Sequence, residues 1–204
     1  HAIYTNMTMN KNLRQIVLFS FILIFLNGTR TDAVQWASKL IGASSQQSIN
    51  EYSAKQVVGS PSVMPGFGKS PCAWAPQKRN NLSGEWIRVA FDKPMHVQQI
   101  SIHENFNPGA INSINLYDSA GNGYEVYYNI PKKTSHPDGR LLNIIIDRTE
   151  YEVHQMKVNL ATSRVLGWNQ IDAIGIADTK DSVKIEINFA STDLAEYEPE
   201  NLGT

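Results

Sequence analysis

The stretch Glu85–Glu104, EWIRVAFDKPMHVQQISIHE, decides the fold. Apolar and polar side chains alternate in both of its halves, which is the period of a β-strand. The apolar positions are Ile87, Val89 and Phe91, followed by Ile100 and Ile102. Pro94 has no backbone N–H to give to a ladder, so it predicts the turn between two strands. We expect the two strands to form a hairpin at the centre of a β-sandwich.

Shorter runs of the same kind lie on both sides of this stretch. Tyr124–Tyr128 follows the turn sequence Gly121-Asn122-Gly123, and further runs lie at Leu141–Ile146, Ile171–Ala177 and Val183–Phe189. Turn residues separate the runs, and no long helical pattern interrupts them. The sequence therefore predicts an all-β protein built as an antiparallel β-sandwich or jelly roll.

The composition limits the kinds of partner that the protein can be expected to bind. The chain has 204 residues, 42% of them hydrophobic, with a formal net charge of -1, which fits one domain with a full core. It has no basic stripe, so we expect no nucleic-acid partner. Cys72 is the only cysteine, which excludes an internal disulfide. No base stands near it in sequence, so we expect a buried small residue rather than a catalytic thiol.

The first 33 residues have the pattern of a signal peptide. Lys11 and Arg14 precede the apolar run Ile16–Leu26, and Thr31-Asp32-Ala33 offers a cleavage site between small residues. The run is shorter than the ~20 residues that a membrane span needs, so we expect no stable span after cleavage. We predict export to the periplasm, the outer membrane or the extracellular space. The sandwich then occupies residues 34–190, and 191–204 form a flexible tail or the start of a linker.

The chain offers little catalytic chemistry. GFGKS at 66–70 lacks the earlier glycine of a phosphate loop, because Val63 stands in its place. The histidines show no metal-ligand spacing, so we predict no metal site, no catalytic residue and no enzyme activity.

Aromatic and amide side chains in predicted loops are better suited to binding, because sugars present apolar faces beside hydroxyl groups. The candidate ligand-binding residues are Trp74, Asn105, Phe106, Asn107, Trp168 and Asn169. A core position is the alternative for the tryptophans. Asp172 stands within an apolar strand and needs a partner if buried. We predict Arg88 as that partner, in a structural pair.

Several motifs resemble the discoidin, or galactose-binding-like, jelly-roll family. They are ASSQ at 43–46, SAKQVVG at 53–59, EWIRVAFDKPMHVQQISI at 85–102 and IDAIGI at 171–176. The strings PGFGKSPCAWAP, ENFNPGAI and GWNQIDAIGIAD are similar to one subgroup, the N-terminal domain of exported bacterial OmpA-family envelope proteins that also carry a β-propeller. The resemblance implies a domain that binds glycans, lipids or proteins through loops at one end of the sandwich.

The resemblance also bears on cofactors. Many members hold a structural calcium near the S-A-x-x-x-x-G segment, often with an aspartate before the glycine, and Val58 stands at that place here. We predict no cofactor. The expected function is a non-catalytic module that recognises a glycan or a protein partner at the cell envelope. The alternatives are an assembly domain of a longer OmpA-family outer-membrane protein and an accessory module of a secreted hydrolase.

Overall fold

The structure, a computed structural model, describes residues 34–134 and 138–180, together with the backbone of the strand at 195–197. They form two packed β-sheets, which confirms the predicted all-β sandwich. The predicted signal peptide, the predicted strand 183–189 and the tail apart from 195–197 lie outside the described residues.

The strands are β1 Gln35–Trp36, β2 Lys39–Ala43, β3 Glu85–Met95, β4 Gln99–Glu104, β5 Ile111–Tyr117, β6 Gly123–Tyr128, β7 Arg140–Ile145, β8 Val153–Leu160, β9 Ala173–Ala177 and β10 Ala195–Tyr197. Sheet A has the order β1-β9-β4-β7-β10, and sheet B has the order β2-β3-β8-β5-β6. Neighbouring strands pair antiparallel except for β10, which runs parallel to β7.

The prediction of a central hairpin is wrong, although both of the predicted strands exist. β3 pairs with β2 and β8 in sheet B, whereas β4 pairs with β7 and β9 in sheet A. Pro94 lies inside the last part of β3, and the chain crosses between the sheets after Met95. Alternation shows which side chains face the core, but both partners of a hairpin and both layers of a sandwich carry the same alternation.

The core lies between the two sheets. Ile87 and Val89 from β3 join Ile100 and Ile102 from β4 in one buried cluster, and each of the four is 0% exposed. Burying such a side chain is worth about 1.5–3 kcal/mol. The stretch that predicted the sandwich therefore supplies the centre of both of its layers.

The long connections gather at one end of the sandwich. β3 and β4 run in opposite directions along it, so the start of β3 and the end of β4 lie at the same end. We call this the loop end, and it collects residues 44–84, 105–110, 129–134 with 138–139, and 161–172. Backbone bridges between Trp74 and Ile171 and between Phe106 and Gln170 join these connections.

Candidate functional site

A buried carboxylate anchors the longest connection to sheet A. Asp172 is 1% exposed and accepts hydrogen bonds from the Ser62 hydroxyl at 2.7 Å and the Val63 amide at 3.0 Å. The Nδ1 atom of His103 lies 2.9 Å from the same carboxylate. Burial opposes ionisation of Asp172, but the hydrogen bonds from His103, Val63 and Ser62 outweigh it and lower the pKa of the carboxyl group.

The predicted pair of Asp172 with Arg88 is wrong. Arg88 points away from the core on the outer face of sheet B, where its guanidinium carbon lies 3.8 Å from the ring centroid of Tyr117. Asp172 precedes β9 of sheet A and is bonded to His103, which lies on the outward face of that sheet. The two layers of the sandwich therefore separate the residues, and Asp172 keeps the structural role with a different partner.

Trp74 lies in the core. It is 0% exposed, and its indole Nε1 donates to the carbonyl of Ser45 at 2.9 Å. A ligand at the surface cannot stack on this ring. The structure therefore shows Trp74 as a core residue, which was the alternative to a binding role.

The three predicted asparagines are also buried, and they tie the loops to one another. Asn105 donates to the carbonyl of Gly68 at 2.9 Å, and Asn169 donates to the carbonyl of Asn107 at 2.7 Å. The Asn107 amide donates to the carbonyls of Leu166 and Trp168 at 3.1 and 3.3 Å. These amides use their donors within the protein, so they shape the loop end rather than line its surface.

Of the predicted binding residues, only Phe106 and Trp168 are partly exposed. Two cations flank the Trp168 ring, with Lys69 Nζ at 5.5 Å and the Arg79 guanidinium carbon at 5.9 Å from its centroid. Lys69 lies at the same distance, 5.5 Å, from the ring of Tyr52. We call Tyr52, Lys69, Arg79 and Trp168 the Trp168 cluster.

The Trp168 cluster combines an aromatic ring with two positive charges. An aromatic face binds the apolar face of a sugar, and a lysine or arginine beside it pairs with a carboxylate or sulfate and donates to hydroxyls. The Nε1 atom of Trp168 has no hydrogen-bond partner within the described part of the chain. Sequence reasoning missed Tyr52, Lys69 and Arg79, because the loops that carry them meet Trp168 only after folding.

A second feature lies where β3 begins. The buried carboxylate of Glu85 accepts hydrogen bonds from the hydroxyls of Ser44 and Ser45 and from the Asn81 amide, the last two at 2.8 Å. These contacts form part of the floor of a cleft of 410 Å³ beside Trp86. Ser44 and Ser45 belong to the ASSQ motif, so this part of the family resemblance reflects the hydrogen bonds that hold the Glu85 carboxylate.

Cys72, expected to be buried, is exposed on a turn of the long connection. Among the described residues, no three His, Cys, Asp or Glu side chains stand close enough to share a metal ion. Within the same part of the chain, no helix has the length and apolar character needed to cross a bilayer.

Comparison with known proteins gives a family and a fold. The sequence profile of the family described as "Pappalysin-1, SD scarf domain, C-terminal" matches residues 27–186. No curated protein matches the chain. The relationship to OmpA-family proteins finds no support in these comparisons and stays a prediction.

Solved structures with the same fold include three of distant sequence. Reduced XRCC1 bound to the DNA polymerase beta catalytic domain has 10% identity and a TM-score of 0.56, covering 72% of this chain and 99% of that one. The family 32 carbohydrate-binding module of Streptococcus pneumoniae EndoD has 10% identity and a TM-score of 0.51, covering 69% and 94%. A pectin-binding carbohydrate-binding module has 16% identity and a TM-score of 0.51, covering 79% and 99%. At these identities the likeness shows the fold alone.

Proposed function

The chain belongs to the family described as "Pappalysin-1, SD scarf domain, C-terminal", and for this member we propose an exported, non-catalytic module that binds a glycan at its loop end. Trp168 provides the stacking surface, and Lys69 and Arg79 contact hydroxyls or an acidic group of the sugar. The proposed setting is the cell envelope, in keeping with the signal-peptide pattern of residues 1–33.

The observation that carries this proposal is the partly exposed Trp168 ring between two cations. A second predicted binding residue stabilises this surface, because the Asn107 side-chain amide donates to the carbonyls of Leu166 and Trp168. A rigid aromatic platform loses little conformational entropy when it binds. Two structures with the same sandwich are described as carbohydrate-binding modules, which supports a glycan-binding role but does not identify the glycan.

The test is a glycan array on the full chain, followed by calorimetry with the best glycan. We expect Trp168→Ala to weaken binding by about five- to thirtyfold, since stacking on an aromatic ring is worth about 1–2 kcal/mol. Tyr124→Ala is the matched control, because Tyr124 is 39% exposed at the opposite end of the sandwich. A folded protein that binds no glycan, or a Trp168→Ala variant with wild-type affinity, contradicts the proposal.

A protein-binding domain is the second candidate, as part of a longer envelope protein or beside a secreted hydrolase. The observation that favours it is a set of exposed apolar side chains at the loop end: Leu82 is 91% exposed, and Leu166 and Ile130 are each 69% exposed. If this is the function, replacing Leu82 and Leu166 together by serine abolishes partner binding. Trp168→Ala then leaves it intact, which distinguishes the two candidates.

A further inference from the structure

The outer face of sheet B carries a set of polar and aromatic side chains that the loop-end proposal does not use. In the register of β3 and β8, Trp86 stands opposite Asn159, and Arg88 stands opposite Lys157. On the other side of β8, Lys157 stands opposite Asn115. All of these side chains are partly exposed. They form one continuous surface across three neighbouring strands.

Two cations are adjacent at the centre of this surface. Side chains directly opposite each other on neighbouring strands are about 4.5–5.5 Å apart at Cβ, so like charges there repel. Within the described ranges, neither Arg88 nor Lys157 has a carboxylate within 4.0 Å. On the far side of Lys157 the first acidic residue in the pairing register is the exposed Glu125, which stands opposite Asn115 and two strands away from Lys157. The sheet therefore carries two cationic residues in register, neither of which has a carboxylate partner among the described residues.

Each cation is supported by an aromatic ring. Lys157 Nζ lies 5.0 Å from the ring centroid of Trp86, and the Arg88 guanidinium carbon lies 3.8 Å from that of Tyr117. These contacts hold each positive group beside a ring on the surface. The Nε atom of Arg88 is buried and has no acceptor among the described residues. The Arg88 guanidinium thus keeps an N–H donor that no acceptor among the described residues uses.

Amide groups and two clefts complete the surface. The Asn159 amide donates to the Ser113 hydroxyl at 3.0 Å and to the Asn115 oxygen at 3.2 Å, so the polar groups beside Lys157 are already ordered. Clefts of 390 and 410 Å³ adjoin Trp86, and the 390 Å³ cleft includes Asn159 in its lining. An extended ligand that contacts the cations would have room to continue past Trp86.

We propose that this surface, the cationic face of Trp86, Arg88, Tyr117, Lys157 and Asn159, is a second binding site for an anionic polysaccharide. Carboxylate or sulfate groups of the polymer pair with the two cations. Its sugar rings pack beside the tryptophan and tyrosine, and a hydroxyl donates to the amide oxygen of Asn159, whose N–H groups already bond within the protein. Charge complementarity favours an anionic polymer over a neutral one, because a neutral sugar leaves the repulsion between Arg88 and Lys157 in place.

The test uses the full chain and three probes: polygalacturonate for carboxylates, heparin for sulfates and dextran as the neutral polymer. We expect binding to one or both anionic polymers that weakens as salt rises, and no binding to dextran. Replacing Arg88 and Lys157 together by glutamine should weaken anionic binding at least about tenfold, since hydrogen bonds to charged groups are individually strong. Arg88→Lys keeps the charge but loses the guanidinium over the Tyr117 ring, so it should weaken anionic binding less than the double variant does.

Two matched controls locate the effect. Lys55→Gln removes an exposed lysine from the short 3-10 turn Ala54–Val57, and Lys93→Gln removes an exposed lysine near the end of β3, outside both proposed binding sites. Neither should change binding of the anionic polymers by more than about twofold. The inference falls if the double variant, folded by circular dichroism, binds like wild type. It also falls if either control variant alone abolishes binding, or if a DNA oligonucleotide binds more tightly than both polysaccharides.

Discussion

Asp172→Ala is the substitution that tests the buried anchor of the loop end. The carboxylate accepts from Ser62 at 2.7 Å, from the Val63 amide at 3.0 Å and from His103 at 2.9 Å. His103 is 0% exposed, and its Nε2 has no partner within the described residues. Removing the carboxylate therefore leaves a buried imidazole with neither nitrogen bonded and releases the long connection from sheet A.

We expect a cost of about 3–5 kcal/mol in all, because His103 Nδ1, the Ser62 hydroxyl and the Val63 amide each lose their acceptor, and a buried polar group left unpaired costs about 1–3 kcal/mol. In a domain of this size each kcal/mol lowers the melting temperature by about 2–4 °C, so we expect a decrease of about 6–20 °C. Ser62→Ala removes one hydrogen bond and should cost about 1 kcal/mol. Thermal and urea denaturation of both variants measure these differences. An Asp172→Ala variant with an unchanged melting temperature would refute the anchoring role.

Three other perturbations have defined outcomes. The pKa of Asp172 is lowered in the folded protein, so its ionised carboxylate contributes stability. That contribution is complete above the unfolded pKa of about 3.8 and is lost as pH falls through the folded pKa. In urea titrations, acid should therefore destabilise wild type more than it destabilises Asp172→Asn. Burial, with repulsion from nearby charge, raises the pKa of Tyr151 to about 12, so ultraviolet titration should show one phenol that ionises late and that Tyr151→Phe removes. The associated stability is complete below the unfolded pKa of about 10 and is lost as pH rises through the folded pKa. Gly109→Ala should lower the free energy of unfolding by about 2 kcal/mol or more, because φ is +107° and the new Cβ would lie 2.2 Å from the Lys132 carbonyl oxygen. Gly121→Ala is the control: φ is +85° but the space is open, so it should cost about 1 kcal/mol in the same denaturation assay.

The strands could be predicted from the sequence because a core between two sheets imposes a period of two. Ile87 and Val89, like Ile100 and Ile102, face inward as the alternation indicates. The pairing of the strands could not be predicted, because alternation carries no information about which neighbour a strand has. A hairpin and a crossing between layers therefore produced the same pattern in Glu85–Glu104.

The candidate site was harder to predict than the fold. Trp74 and Asn105 stand in connections that look exposed in sequence, yet the connections fold back and bury them. Asp172 was identified correctly as a buried carboxylate, but its partner His103 is 69 residues away and carries no spacing signature. Lys69 lies close to Trp168 only because two separate connections meet at the loop end.

The most direct test of glycan binding at the loop end is a nuclear magnetic resonance titration of the tryptophan indole N–H groups. The chain has four tryptophans, and Trp168→Phe assigns the signal of interest. With the best glycan from the array, we expect the Trp168 signal to shift progressively to saturation, while that of Trp74, which is 0% exposed, stays in place. A Trp168 signal that does not move while another indole signal does would contradict the account.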